Sequence, residues 1–292
     1  MRVDIRPDTT IAEALTLLTR TLGEAGIEAP SRDARFLLQG ILGLDGADVL
    51  ARSDRPVGED AGRLSEAVRR RVSHEPISRI LGRRAFYGRD FIVTPDVLDP
   101  RPDTEAAVEL ALDLIEARGL SDEALSIADI GTGSGILIVT LLAELPNARG
   151  IATDISKAAL DVARRNAEAI GVADRVEFVA TTGLDGCTRP FDLVISNPPY
   201  ISTGEIGGLE RSVRDFDPLE ALDGGADGLS VYREIAQNIV ELQRSSVLLV
   251  FEVGATQADD VVKIFSNSGA HFLKARRDLG GHTRAVALEI HL

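Results

Sequence analysis

The sequence predicts an α/β fold with a mostly parallel sheet, preceded by a small helical domain and a β-hairpin linker. Two observations lead to this fold class. After Pro102, short continuous apolar segments alternate with amphipathic helical segments, which is typical of a sheet covered by helices on both faces. Before about His74, apolar residues instead recur at spacings of three and four, the period of helices that bury one face.

The N-terminal region reads as a helical bundle. Its apolar positions are Ile11, Leu15, Leu18 and Leu22, then Phe36, Leu37 and Ile41, and later Leu64, Val68 and Val72. Glycines and prolines separate these runs, as they do between short helices. We expect a helical domain at 1–75.

The next segment changes to a β-like pattern. Phe86, Tyr87 and the run 91–93 are apolar or aromatic, and Gly88-Arg89-Asp90 reads as a turn between them. Val97 and Leu98 continue the pattern. We therefore expect a β-hairpin linker at 76–101.

The remainder, 102–292, alternates between strands and helices. Helices are predicted at 103–118, 136–144, 157–170, 229–242 and 256–266, and strands at 126–130, 150–154, 176–180, 191–196, 246–253, 271–277 and 283–290. Because no helix separates the last two strands, they must form an antiparallel hairpin. The prediction is a seven-stranded sheet.

Composition narrows the possible functions. A formal charge of −14 opposes binding to duplex DNA, whose partners normally concentrate lysine and arginine. No apolar run is long enough to cross a membrane, and we expect a cytoplasmic protein. Cys187 is the only cysteine and the histidines show no paired ligand spacing, so we expect neither a disulfide nor a metal.

A glycine-rich turn follows the first strand of the sheet. Gly131-Thr132-Gly133-Ser134-Gly135 leads directly into a helix, whose free N–H groups suit a nucleotide-like ligand. The spacing differs from the dinucleotide pattern and no phosphate-binding lysine follows. Asp154, at the end of the next strand, is placed to accept hydrogen bonds from ribose hydroxyls. Adenosine with an aminoacyl tail, S-adenosylmethionine, fits better than NAD.

Each of these features also has a purely structural interpretation. The glycine segment could be a plain tight turn. Asp154 could cap the following helix, although Ser156 could equally supply that cap.

The strand at 191–196 ends in Asn197-Pro198-Pro199-Tyr200. Two prolines fix φ and remove two backbone donors, so the loop offers acceptors. The Asn197 side-chain oxygen and the Pro198 carbonyl could each accept one N–H of a planar amide or amino group and aim its lone pair at a methyl group. Tyr200 would pack against the planar face. Asn and Pro in an ordinary turn are the structural alternative.

These residues resemble the PrmC/HemK family, which methylates the glutamine of the Gly-Gly-Gln motif in class-1 peptide-chain release factors. The motifs that carry the resemblance span nearly the whole chain: 75–82, Phe86-Tyr87-Gly88 and Phe91, Leu98-Asp99-Pro100-Arg101-Pro102-Asp103-Thr104-Glu105, 213–218, Phe251-Glu252-Val253-Gly254 and Arg277-Asp278-Leu279-Gly280-Gly281. The resemblance implies a Rossmann-like class I methyltransferase fold. It also implies that the helical domain helps to dock a release factor.

The resemblance further implies site roles. Gly131 to Gly135 and Asp154 would hold S-adenosylmethionine, with S-adenosylhomocysteine as product. Asn197 and Pro198 would hold the glutamine amide, with Pro199 and Tyr200 beside it. Arg101 and Glu105 either line the site or form a salt bridge or cap in the linker. We expect the enzyme to act as a monomer.

One position departs from the family pattern. Where the family carries an acidic residue followed by an aromatic one, this chain has Thr182-Gly183. Thr182 can still accept a hydrogen bond, but the aromatic partner for adenine is missing. The adenine end of the pocket is therefore expected to differ.

Three alternatives stay open at this stage. An adenine-specific DNA methyltransferase uses the same Asn-Pro-Pro-Tyr loop on a flipped base. A glutamine methyltransferase of a large-subunit ribosomal protein uses the same chemistry. A non-enzymatic adenosine-binding module is suggested only by Thr182-Gly183.

Overall fold

The computed structural model describes residues 4–187, 189–242, 246–278 and 280–291, so that Leu279 of the glycine-containing motif near the C-terminus lies outside the described residues. The chain divides into two compact units. The first comprises Met1–Arg83 and Glu210–Phe216, and the second comprises Arg84–Leu209 and Asp217–Leu292.

The first unit is helical. Its helices are α1 (Ile11–Glu24), α2 (Pro30–Leu42), α3 (Gly46–Ala51), α4 (Ala61–Val72) and α5 (Ile77–Leu81). Thr10 and Glu13 form a capping box that starts α1, since each side chain accepts from the other residue's backbone N–H. Leu18, Leu37 and Leu64 are fully buried in the shared core. The predicted periodicity therefore marks the packed faces.

The predicted linker begins differently from expectation. Residues 77–81 form helix α5, which begins after Pro76 and ends at Gly82 in the left-handed conformation. The hairpin strands are β1 (Arg83–Phe86) and β2 (Arg89–Ile92). Their turn is Tyr87-Gly88, with φ of 49° and 73°, and not the predicted Gly88-Arg89-Asp90. Two positive φ values are what a two-residue hairpin turn requires. Val97 and Leu98 lie in irregular chain.

The second unit continues with α6 (Glu105–Ala117), β3 (Ser126–Ile130), α7 (Ile136–Glu144), β4 (Arg149–Asp154), α8 (Lys157–Ile170), β5 (Val176–Ala180) and β6 (Leu193–Ser196). After the short α9 (Arg211–Arg214), which belongs to the first unit, come α10 (Ser230–Leu242), β7 (Val247–Glu252), α11 (Ala258–Asn267), β8 (Ala270–Arg277) and β9 (Thr283–Ile290). Every predicted strand and helix of 102–292 is present, with ends shifted by at most two residues.

The sheet has the order β5-β4-β3-β6-β7-β9-β8. The neighbours from β5 to β7 are parallel, whereas β9 is antiparallel to both β7 and β8. Alternate residues of the strands serve two apolar cores. Ile127 packs with residues of α6 and α7, and Ala128 with residues of α10 and α11. The sheet is therefore covered on both faces, and the predicted fold class is confirmed.

The strand register brings the loops that carry the predicted site residues to one edge of the sheet. Ile130 of β3 is level with Thr153 of β4 and with Ser196 of β6, and Ser196 is level with Phe251 of β7. Because these strands are parallel, the residues that follow them meet at the carboxyl edge of the sheet, where such folds bind ligands.

Candidate active site

A cavity of about 880 Å³ opens at this carboxyl edge. The predicted site residues that line it are Gly131, Thr132, Gly133, Ser134, Asp154, Thr182, Gly183, Asn197 and Pro199. The other predicted residues, Gly135, Pro198, Tyr200, Arg101 and Glu105, lie outside this lining. The structure thus brings the glycine turn, the acidic strand end and the proline loop to one cavity.

The Asp129 carboxyl hydrogen-bonds to the glycine turn and to the helix that follows it. The Thr132 hydroxyl donates to Asp129 Oδ2 at 2.6 Å, and the Ile138 N–H donates to the same oxygen at 3.3 Å. Gly135, at the start of α7, has no side chain that could cap the helix. Asp129 therefore takes the place of a cap, because it accepts from the Ile138 N–H in the first turn of α7. Burial raises the pKa of Asp129 to about 7. Sequence reasoning missed this residue, because an acid inside a strand gives no local signal of what it contacts.

Gly135 is required by close packing. Its φ is 80°, and a Cβ there would lie 3.0 Å from the Ala163 Cβ and 3.2 Å from the Ala163 Cα of α8. Only glycine combines a left-handed backbone with that approach. The turn is therefore a fixed element against α8.

Asp154 acts on the turn and is not the cap of α8. Its Oδ2 accepts from the Gly133 N–H and its Oδ1 from the Ser156 N–H, each at 2.9 Å. The cap is Ser156, whose Oγ accepts from the Ala159 N–H. Of the two interpretations that the sequence left open, the structure therefore assigns capping to Ser156.

A buried asparagine joins the turn to the hairpin. The Asn166 Nδ2 donates to the Ser134 carbonyl at 2.8 Å and to the Ile92 carbonyl at 3.1 Å, and its Oδ1 accepts from the Ile92 N–H at 2.7 Å. Its side chain has no exposure to solvent. Sequence reasoning missed Asn166, because its partners lie 32 and 74 positions away along the chain.

The proline loop is anchored on both sides. The Ser196 hydroxyl donates to the Ile130 carbonyl at 2.7 Å, which ties the end of β6 to β3. On the other side, the Gln257 Nε2 donates to the Tyr200 carbonyl at 2.9 Å. Gly224 lies so close that a Cβ there would be 2.7 Å from the Pro199 carbonyl. The glycine-rich stretch 222–228, which sequence reasoning passed over, thus packs directly on this loop.

Asn197 lines the cavity, and its amide nitrogen has a hydrogen-bond partner. The Asn197 Nδ2 donates to the Thr104 Oγ1 at 3.5 Å. The Oδ1 atom is then available as an acceptor. Pro198 is buried, and Pro199 contributes to the cavity wall.

Tyr200 does not project into this cavity but lines a second one, of about 530 Å³. Its hydroxyl lies 3.4 Å from the Glu252 Oε1. Burial and the Glu252 carboxyl raise the pKa of the Tyr200 phenol. Burial likewise raises the pKa of Glu252 to about 7. The phenol therefore stays protonated and can donate.

Arg101 and Glu105 both have structural partners. The Arg101 Nη2 lies 2.7 Å from the Asp217 Oδ2. The other oxygen of that carboxyl, Oδ1, accepts from the Asp99 N–H at 3.0 Å. Glu105 accepts from the Tyr87 N–H at 3.0 Å. These contacts agree with the structural interpretation that the sequence left open for the two residues.

Thr182 and Gly183, where this chain differs from the family pattern, line the cavity. The Gly183 carbonyl accepts from the Thr153 hydroxyl at 2.7 Å, so the backbone there is fixed. Ile155, which follows Asp154, also lines the cavity and is 64% exposed. An aliphatic surface is therefore present beside the acidic strand end, where the chain has no aromatic residue.

The charge of the cavity wall decides which ligand fits. The lining includes five carboxylates, Asp96, Asp154, Glu220, Asp223 and Glu234, and no lysine, arginine or histidine among the described residues. Such a wall repels phosphates and attracts cations. S-adenosylmethionine, with its sulfonium and ammonium groups, fits this wall, whereas a dinucleotide does not.

Two family models and several named relatives match this chain. Residues 13–82 match the family model described as PrmC N-terminal domain, and residues 105–208 match the model described as Methyltransferase small domain. The release factor glutamine methyltransferase of Rhodospirillum rubrum is 43% identical over 90% of this chain and 79% of its own. That of Bradyrhizobium diazoefficiens is 40% identical over 95% of this chain and 94% of its own.

The chain belongs to the release factor glutamine methyltransferase family. It is an S-adenosylmethionine-dependent methyltransferase, as the sequence predicted. Among solved structures, the hMettl16 catalytic domain in complex with a 3'UTR hairpin has a TM-score of 0.55 at 16% identity, covering 80% of this chain and 81% of that one. That likeness supports the class I methyltransferase fold.

None of the helices in the described ranges has the length and apolar character needed to cross a membrane. Within the same ranges, no three His, Cys, Asp or Glu side chains are grouped so as to hold a metal ion.

Proposed function

We propose that this methyltransferase modifies the side-chain amide nitrogen of the glutamine in the Gly-Gly-Gln motif of class-1 peptide-chain release factors. The observation that carries the proposal is the Asn197 side chain on the cavity wall, with its nitrogen directed to Thr104 and its oxygen available. A glutamine NH₂ needs acceptors of this kind. The substrate is inferred from the relatives, which are named release factor glutamine methyltransferases.

The proposed mechanism relies on acceptors. S-adenosylmethionine, when bound, supplies a methyl group activated by its sulfonium sulfur. The Asn197 Oδ1 and the Pro198 carbonyl would each accept one N–H of the glutamine amide, which turns the nitrogen lone pair toward the methyl group and stabilises the developing positive charge. Since alkylation makes the nitrogen acidic, its proton can leave afterwards. No strong base is needed.

The residues proposed to hold the donor are those of the glycine turn, Gly131 to Gly135, together with Asp154, Thr182 and Gly183. Asp154 faces the cavity while it fixes Gly133, so one carboxylate can hold both the turn and the ribose hydroxyls. Tyr200, which lines the second cavity, would lie beside the substrate. Arg101 and Glu105 are assigned supporting structural roles.

Residues 1–75 would dock the release factor, 76–101 would link, and 102–292 would carry the reaction. The protein would act as a monomer in the cytoplasm, where translation takes place. Duplex DNA is not expected to bind, because the chain has a formal charge of −14.

The test is mass spectrometry of a purified class-1 release factor incubated with enzyme and S-adenosylmethionine. We expect a gain of about 14 Da, one methyl group, on the peptide that contains Gly-Gly-Gln. Asn197→Ala should abolish transfer and retain S-adenosylhomocysteine binding, whereas Asn267→Ala, at an exposed position of α11, should behave as wild type. An unmodified release factor, together with a methylated ribosomal protein glutamine or adenine, would refute the proposal.

A further inference from the structure

The proline loop, 197–200, cannot fix its own carbonyl groups through a ladder of backbone hydrogen bonds. Its two prolines have no N–H, and their rings hold φ near about −65°. The loop is therefore stiff, and the direction of the Pro198 carbonyl depends on how the two ends of the loop are held. Ser196 holds the first end through the Ile130 carbonyl. The Tyr200 end is held by a side chain from a distant part of the sequence.

That side chain is Gln257. Its Nε2 donates to the Tyr200 carbonyl at 2.9 Å and to the Gly228 carbonyl at 3.3 Å. Its Oε1 accepts from the Gly254 N–H at 3.2 Å. An amide NH₂ has two protons to donate, and both are used here. One side chain thereby joins the proline loop, the glycine-rich stretch 222–228 and the chain that follows β7.

These partners fix the direction of the Gln257 amide. In the opposite orientation, the amide would place its oxygen against two carbonyl oxygens and its NH₂ against the Gly254 N–H. The observed orientation is the one that satisfies all three partners, and it requires an NH₂ group. Glutamate has the same shape, but its ionised carboxylate can only accept. The arrangement therefore depends on the donors of the glutamine and not on its size alone.

Two glycines leave the space that the carboxamide occupies. A Cβ at Gly254 would lie 2.5 Å from the Gln257 Oε1. A Cβ at Gly228 would lie 2.6 Å from the Gln257 Nε2 and would overlap the Tyr200 carbonyl oxygen. No side chain can enter without displacing the carboxamide or the carbonyl, because packed atoms do not approach so closely. The Tyr200 end of the loop is therefore closely confined.

Helix α11 gives the carboxamide a rigid base. Gln257 directly precedes this helix, and its backbone carbonyl accepts from the N–H of the buried Val261 at 3.0 Å. On the other side, the Ile201 N–H donates to the Leu222 carbonyl at 3.1 Å, so that 222–228 stays alongside the chain that leaves the loop. Gln257 thus ties the proline loop to a packed part of the fold.

We propose that Gln257 is a positioning residue for methyl transfer, which holds the Tyr200 end of the proline loop so that the Asn197 Oδ1 and the Pro198 carbonyl keep the direction that the substrate amide needs. This inference rests on the proposed function, in which those two oxygens accept the N–H groups of the glutamine. Gln257 lines the second cavity with Tyr200 and lies outside the lining of the first, so it acts through the loop and not on the reacting atoms.

The first experiment compares wild type with Gln257→Met, which keeps the length of the side chain and removes its donors. Because two hydrogen bonds to the loop and its neighbour are lost, kcat on a class-1 release factor should fall by about tenfold or more. Calorimetric titration with S-adenosylhomocysteine counts the binding-competent sites, so that kcat refers to folded enzyme. The Kd from the same titration should stay within about threefold of wild type.

The second experiment uses Gln257→Glu, which keeps an acceptor for the Gly254 N–H. The ionised carboxylate faces two carbonyl oxygens, whereas the protonated carboxyl can again donate to one of them. An ordinary glutamate has a pKa of about 4.3, and the facing carbonyls and Glu205 of the same cavity raise the pKa of the introduced carboxyl. The ratio of the variant kcat to the wild-type kcat should therefore rise by about threefold or more as pH is lowered from about 8 to about 5.5.

Gln237→Glu is the matched control, because it makes the same change of charge at an exposed position of α10 and should keep the wild-type kcat at both pH values. A kcat of Gln257→Met within about threefold of wild type per binding-competent site, or a Gln257→Glu ratio that does not change with pH, would overturn the inference. The pH arm compares one variant with itself, so it decides the question even if Gln257→Met does not fold. Failure of wild type to methylate the release factor would instead defeat the proposed function.

Discussion

Removing the Asp154 carboxylate should weaken donor binding far more than it weakens the fold. The carboxylate accepts from the Gly133 and Ser156 N–H groups, each at 2.9 Å, and lines the cavity beside the glycine turn. A hydrogen bond from a ligand hydroxyl to a charged acceptor contributes about 1.5–3 kcal/mol. Because 1.4 kcal/mol is a factor of about ten, loss of two such bonds to a ribose predicts a rise in Kd of at least 100-fold, roughly 3 kcal/mol.

The assay is titration calorimetry of Asp154→Ala with S-adenosylmethionine and with S-adenosylhomocysteine. Both ligands carry the ribose, so both Kd values should rise by a similar factor. Asp154→Asn, which keeps one acceptor oxygen, should give an intermediate value. Asp161→Ala is the matched control, since Asp161 is exposed on α8 and pairs with Arg164 at the surface. A Kd for Asp154→Ala within about threefold of wild type would refute the reasoning.

Three further changes test the supporting structure. Gly135→Ala should lower the free energy of unfolding more than Gly171→Ala, by roughly 1–3 kcal/mol, because an added Cβ meets a neighbouring helix only at Gly135. The cost of the left-handed φ is common to the two variants. Urea denaturation measures the difference, and equal losses would contradict the packing argument. Arg101→Ala should reduce the free energy of unfolding by about 2 kcal/mol without changing the substrate KM, because the ion pair with the buried Asp217 carboxylate is lost. A raised KM at unchanged stability would show instead that Arg101 binds substrate. The pKa of Asp129, about 7 in the folded protein, lies above its unfolded value, so this group's contribution to stability is present at low pH and is lost as pH rises toward 7. Asp129→Asn should therefore reduce the fall in unfolding free energy between about pH 5.5 and 7.5 by about 2 kcal/mol, as followed by denaturation at several pH values, and an unchanged fall would contradict the assignment.

The parts of the site that are local in sequence could be predicted from it. The strand, glycine turn and helix at 126–144 follow one another directly, so that apolar runs and three glycines define them. The same is true of the strand that directly precedes Asn197. Parallel strands then place these loops at one edge, whichever residues lie between.

The parts that depend on distant contacts could not be predicted. Asn166 reads as an ordinary polar residue of an amphipathic helix, and only the folded chain brings it to Ile92. The short helix α5 was missed because five residues between Pro76 and Gly82 are too few to show a helical period.

The hydrogen bonds of Asn166 determine how far the reaction unit can be shortened. The match to the Methyltransferase small domain begins at residue 105. However, the Asn166 side chain, which donates to the Ser134 carbonyl of the glycine turn, also hydrogen-bonds to the backbone of Ile92, which precedes that match. A truncated chain that starts after the hairpin would leave two polar atoms of a fully buried amide without their Ile92 partners, beside the donor cavity. In protein engineering, the transferable unit therefore has to begin before β2, at the hairpin itself.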